Sequence, residues 1–135
     1  MGNSRVMRNL PITLLCLLAL TLAACTDANQ QQSIPSQHWK TADVRIETHP
    51  NPPLAGMSEI VVIVTGPHGM PVGDLTISLR GADSMPWVQA IEDGNIGVYR
   101  RAIDLGDKQA TTLQVKLQQG TEEKVLLFPM TLSPS

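Results

Sequence analysis

Along residues 43–132, apolar runs of strand length alternate with clusters of Gly, Pro, Asn and Asp, a pattern expected of an antiparallel sandwich or barrel. It predicts strands at residues 43–48, 58–65, 74–80, 87–92, 96–104, 111–118 and 124–132. In the third, Leu75, Ile77 and Leu79 face one way while Thr76, Ser78 and Arg80 face the other, and Leu113, Val115 and Leu117 repeat the alternation in the sixth. Such strands have one core face and one wet face. The run Ile60-Val61-Val62-Ile63-Val64 is apolar on both faces, which predicts a central strand covered on both sides. No segment carries a helical period. The expected fold class is all-β, an immunoglobulin-like antiparallel β-sandwich of about seven strands.

The intervening residues have matching turn chemistry. Gly66-Pro67-His68-Gly69 offers φ > 0 positions beside a proline of fixed φ, and Asp93-Gly94-Asn95 and Gln119-Gly120 suit hairpins. Pro50, Pro52 and Pro53 remove backbone donors, so residues 49–56 form a loop or an edge crossing.

A different pattern fills the start of the chain. Arg5 and Arg8 form a positive head, and residues 10–20 form an apolar core with Leu14, Leu15, Leu17 and Leu18, as in a secretory signal. The apolar part falls short of the roughly 20 residues that a spanning helix needs. Leu22-Ala23-Ala24-Cys25 resembles the lipobox of bacterial lipoproteins, in which the cysteine thiol accepts a diacylglyceryl group and the bond before it is cut. The resemblance implies cleavage between Ala24 and Cys25 and lipid attachment at Cys25, so that the protein is anchored to a membrane without spanning it. Thr26 follows where some lipoproteins retained at the inner membrane carry Asp; this favours the outer membrane, with Asp27 one place further on. Residues 1–24 are thus expected to be the signal peptide, 25–42 a lipidated flexible tether rich in Gln and Ser, and 43–135 the domain.

Losing the signal leaves 111 residues, enough for one domain and a tail. It also removes Arg5 and Arg8, so eight Lys and Arg face twelve Asp and Glu, a formal charge of −4. No basic cluster remains to neutralise phosphates, which argues against nucleic-acid partners. Cys16 leaves as well, so the exported part has neither a disulfide nor a thiolate metal site. Its aromatics are Trp39, Trp87, Tyr99 and Phe128, and Val, Ile and Leu must supply most of the core.

Over about residues 43–130 the chain resembles the YtkA-like and FixH-like family of small exported immunoglobulin-like domains. The resemblance is carried by the strand at 60–64, by Gly66-Pro67-His68-Gly69-Met70-Pro71-Val72 leading to Leu75, by Gly94-Asn95-Ile96-Gly97-Val98-Tyr99, and by Gly106 and the strand at 113–117. Gly97 permits close backbone approach, and the Tyr99 hydroxyl can pin a corner. The kinship implies an accessory role in respiratory-complex assembly or metal handling at the membrane.

Candidate chemistry is sparse. His68, Met70 and Met85 lie in loops that a sandwich could gather at one end, and imidazole and thioether ligands suit copper(I). The plainer reading makes His68 a turn residue and the two methionines plugs at the ends of the core. Glu92-Asp93 and Glu122-Glu123 flank turns, where carboxylates are usually solvated, and no nucleophile-elbow serine or exported cysteine is available, so an enzyme is not expected. Trp87 is either an exposed binding aromatic or, preferably, a buried tryptophan of the sandwich. Arg100-Arg101 requires a β-bulge or an edge position, since only one of the two can face the core side. Two function classes follow: a membrane-anchored accessory binding module, in copper handling or assembly of a respiratory-complex protein, or a structural lipoprotein of the cell envelope with no small ligand.

Overall fold

The computed structural model describes residues 31–135; the signal segment, the lipobox and Cys25 lie outside the described residues. Among the described residues the strands are β1 (Gln37–Trp39), β2 (Ala42–His49), β3 (Met57–Thr65), β4 (Thr76–Arg80), β5 (Val88–Gln89), β6 (Ile91–Glu92), β7 (Val98–Asp104), β8 (Ala110–Gln119) and β9 (Glu122–Thr131). They form a five-stranded sheet in the order β1-β2-β3-β7-β6 and a four-stranded sheet in the order β5-β4-β8-β9, with every ladder antiparallel. The architecture is an antiparallel β-sandwich.

Alternation fills the space between the sheets. Val44 and Ile46 from β2, Ile60, Val62 and Val64 from β3, Ile77 and Leu79 from β4, and Leu113, Val115 and Leu117 from β8 are all buried, and Phe128 from β9 is wholly enclosed. Burying an aliphatic or aromatic side chain of this kind contributes about 1.5–3 kcal/mol, which offsets the cost of ordering its strand. β3 holds the centre of its sheet, as its two-sided apolar run predicts. Val61, on its outer face, is buried between its register partners Glu47 and Arg100.

Two strands depart from the sequence expectation. The single strand expected at 87–92 divides: Val88 and Gln89 pair with Leu79 and Ser78 of β4, while Ile91 and Glu92 pair with Arg100 and Tyr99 of β7. Ala90, buried at the crossing, donates its N–H to the Ile77 carbonyl at 2.8 Å. The segment switches sheets at the open edge, as corner strands of sandwiches do.

The second departure is β1, which lies within the stretch expected to be tether. Gln37 pairs with Val44 and Trp39 with Ala42, and the segment before and after them follows the free edge of β9. The Gln32 carboxamide, oriented to satisfy both its groups, accepts from the Thr131 N–H at 2.8 Å and donates to its carbonyl at 3.0 Å. Gln37 Nε2 donates to the Leu127 carbonyl, and Lys40 pairs with Glu122. An uncovered edge of ten residues invites pairing with another chain; here glutamine side chains take up three of its backbone groups, at Leu127 and Thr131. Replacing Gln32 and Gln37 together with alanine is therefore expected to increase self-association while leaving the core intact. Sedimentation velocity across a concentration series measures this, and a double variant no more associated than the parent would rule out the edge-covering role.

The ends of the sandwich differ. The upper end gathers the Lys40-Thr41 turn, the β3–β4 connection, the β6–β7 connection and the Gly120-Thr121 hairpin. The lower end gathers residues 50–56, 81–87, 105–109 and the C-terminal tail. There Ser133 accepts from the Ala55 N–H and donates to the Pro53 carbonyl, both at 2.8 Å, which ties the end of β9 to the β2–β3 loop across the two sheets.

Candidate functional site

The structure does not bring His68, Met70 and Met85 together. Pro67–Gly69 forms a single 3-10 turn after β3, held by the Gly66 N–H on the Met70 carbonyl at 2.7 Å. His68 itself takes the left-handed conformation with φ 58°, unfavourable for a residue with a Cβ, and Gly69 follows with positive φ, which glycine adopts freely. His68 and Met70 are exposed at the upper end. Met85 sits in the β4–β5 loop at the lower end, half-buried, with its thioether against the backbone of Gly81 and Gly106. The nine residues of β3, rising ~3.3 Å each, hold the two loops apart by far more than a metal coordination sphere spans. Among the described residues no group of three or more His, Cys, Asp and Glu is placed to hold a metal. The sequence places all three in loops, but which end each loop occupies follows from strand direction and pairing.

Trp87 is not in the core. Its ring lies half-buried on the outer face of the four-stranded sheet, with the Arg80 guanidinium 4.3 Å and Lys116 Nζ 4.6 Å from its centroid, both in cation–π range. The reason is phase: Val88 pairs with Leu79 and packs against the core, so its neighbour Trp87 faces outward. Arg80 also bonds Gln114 Oε1 at 2.8 Å and Asp83 Oδ1 at 3.1 Å.

Arg100 and Arg101 are resolved by an edge and not by a bulge. The β3–β7 register runs unbroken from Met57↔Asp104 to Ile63↔Val98. Arg100 faces outward and bonds Asp93 and Glu59, and the hydrogen bond with Asp93 above all holds its pKa above the usual arginine value. Arg101 projects on the core side below the end of β6, where β7 becomes an edge, and remains exposed. It borders an open groove of about 470 Å³ with Leu75, Gln89, Ile91, Glu92 and Tyr99.

Tyr99 is buried beneath that groove, and its hydroxyl has no hydrogen-bond partner of good geometry. Burial pushes the phenol pKa up from its usual 10.0, the Glu92 and Asp74 carboxylates add to this, and the nearby Leu75 backbone partly opposes it. A folded-state pKa above the unfolded value gives stability that is present below pH ~10 and is lost as pH rises through the folded value. Tyr99→Phe is accordingly expected to flatten the alkaline limb of a stability–pH profile, measured by urea unfolding between pH 8 and 11. An unchanged limb would contradict the assignment. Gly97 next to it needs its lack of a side chain: with φ +79°, a Cβ there would lie 2.8 Å from the Val64 carbonyl oxygen.

The acidic pairs serve the scaffold. Glu92 accepts from the Gly97 N–H, Asp93 holds Arg100, Glu122 holds Lys40, and Glu123 accepts from Gln118. Compared with known proteins, the chain matches no family model, no curated protein and no solved structure.

Proposed function

We propose that this chain is an exported lipoprotein of the cell envelope whose β-sandwich serves as an accessory binding module for a membrane or envelope protein. The observation that carries the reading is the tetrapeptide Leu22-Ala23-Ala24-Cys25 directly after a short apolar stretch with a basic head, upstream of a chain with no further cysteine. In this reading Cys25 receives the lipid, cleavage falls between Ala24 and Cys25, and the outer membrane is the favoured location.

The likeness of residues 43–130 to YtkA-like and FixH-like domains supports an accessory role over a catalytic one. A copper(I) site built from His68, Met70 and Met85 together gains no support from the fold, because two of the three lie at the opposite end from the third. A protein partner is the better reading. Its test is affinity capture of the full-length lipidated protein from membranes after crosslinking, beside the Cys25→Ser form. One stoichiometric envelope protein recovered with the lipidated form supports the module, and recovery of none in repeated captures argues against it. Acyl labelling of the same two forms tests the anchor.

A further inference from the structure

We propose that the outer face of the four-stranded sheet, centred on Trp87 between Arg80 and Lys116, lies against lipid headgroups when the protein is anchored. The proposal rests on the lipid-anchor reading and adds to it a specific surface.

The first support is where the described chain begins. Gln32 is fastened to the lower end: its N–H donates to Asn51 Oδ1 at 2.9 Å, its carbonyl accepts from Asn51 Nδ2 at 3.2 Å, and its side chain clasps Thr131. Gln32 is thereby fixed at the lower corner of β9, an edge strand of the four-stranded sheet. Six residues, and so seven Cα–Cα steps, separate Cys25 from Gln32. Whatever path they take, a chain of that length reaches at most about 25 Å. β9, with ten residues, extends ~33 Å, so the lipidated cysteine falls short of the upper turns. On the anchor reading the bilayer therefore meets the lower end, an edge or one of the two broad faces, and the edge at β9 is already followed by residues 32–40.

The second support is the contrast between those faces. On the five-stranded sheet the outward positions of β2, β3 and β7 include Asp43, Glu47, Glu59 and Asp104 against Arg45 and Arg100. That face is acidic and would be repelled by anionic headgroups. On the four-stranded sheet the outward positions carry Arg80, Lys116 and Trp87 against the single carboxylate of Glu123, with Asp83 of the following loop paired to Arg80, and Val125, Leu127 and Pro129 are exposed along β9. Lys116 has no carboxylate partner among the described residues. An amphipathic ring flanked by cations, beside exposed aliphatic side chains, is the composition that settles at a membrane–water interface. Val125 is 36% and Leu127 51% exposed, apolar surface that a headgroup layer would cover.

The experiment uses the lipidated protein in vesicles of phosphatidylethanolamine and phosphatidylglycerol that contain a headgroup-proximal nitroxide lipid. Single cysteines replace Thr112, on the proposed face, and Glu47, at a similar height on the opposite one. Both positions are exposed, and each cysteine carries a thiol-reactive fluorophore. With the sheets ~10 Å apart, quenching at 112 is expected to exceed that at 47 at least about twofold. Adding Trp87→Ala and Lys116→Glu should bring the ratio toward one. Equal quenching at the two positions, or stronger quenching at 47, in protein that sediments with the vesicles overturns the proposal and leaves the anchor reading standing. Protein that carries no acyl chain and does not sediment overturns the anchor reading itself.

Discussion

Replacing Cys25 with serine is expected to abolish acyl-lipid labelling and to move the protein from the membrane to the soluble fraction. The thiol is the group that becomes the thioether, and a serine hydroxyl, far less acidic than a thiol, is a poor substitute at neutral pH. Each buried CH₂ contributes ~0.8 kcal/mol to membrane attachment, and one chain alone anchors only marginally, so loss of the first acyl transfer removes the basis for stable binding. Among the described residues no helix is long and apolar enough to cross a membrane, so the domain offers no helical anchor in its place. The measurement is labelled-palmitate incorporation together with fractionation. A serine variant that stays with the membrane would mean that residues 10–20 act as an uncleaved anchor.

Phe128→Ala is expected to be the most damaging single change in the core, at about 3–5 kcal/mol. Phe128 is wholly buried in β9 opposite Leu113 and is the only phenylalanine of the chain. Its neighbours in the core are mainly Val, Ile and Leu held in register by two ladders, which limits how far they can collapse into the space it leaves. Small domains have only about 5–15 kcal/mol in total, so the variant is expected to be partly unfolded at 37 °C. Leu127→Ala is the comparison: adjacent in sequence but 51% exposed, it should cost under about 1 kcal/mol. Urea titration of both variants measures the difference, and equal losses would contradict the inward phase assigned to β9.

Most of the sandwich was legible in the sequence, because alternation reports which side chains face the core; the phase of β9 was not, since Val125-Leu126-Leu127-Phe128 is an unbroken apolar run. Leu75, Ile77 and Leu79 against Thr76, Ser78 and Arg80 define β4 without any structure. Alternation does not report which sheet a strand joins. The crossing at Ala90 was therefore hidden, since Val88 to Glu92 reads as one strand although its two halves pair with different neighbours. β1 was hidden for another reason: Gln, His, Ser and Lys around Trp39 give a composition proper to a tether, and their role depends on an edge of β9 more than eighty residues away. The candidate site fared similarly. His68, Met70 and Met85 are visible as soft ligands in loops, but the direction of each strand sends the loops to opposite ends. Trp87 was misplaced by a single position of phase, with Val88 taking the core in its stead. Cys25 lies outside the described residues, and its role still rests on the sequence.

The glutamine clasps along β9 also have a mechanical meaning. In a lipid-anchored chain, any pull between bilayer and domain enters at Gln32 and meets the side-chain contacts of Gln32, Gln37 and Lys40 one after another. These would open in single file, as a seam is peeled. The short β1–β2 ladder, with three paired positions, would open with them, and the β2–β3 ladder, with seven paired positions from Asp43 to His49, would take up the load only afterwards. The segment is thus a reserve of tether length: at up to ~3.5 Å per residue, its release would cost the five-stranded sheet its edge strand β1 but let the module move further from the membrane while β2, β3, β7 and β6 and the four-stranded sheet stay folded.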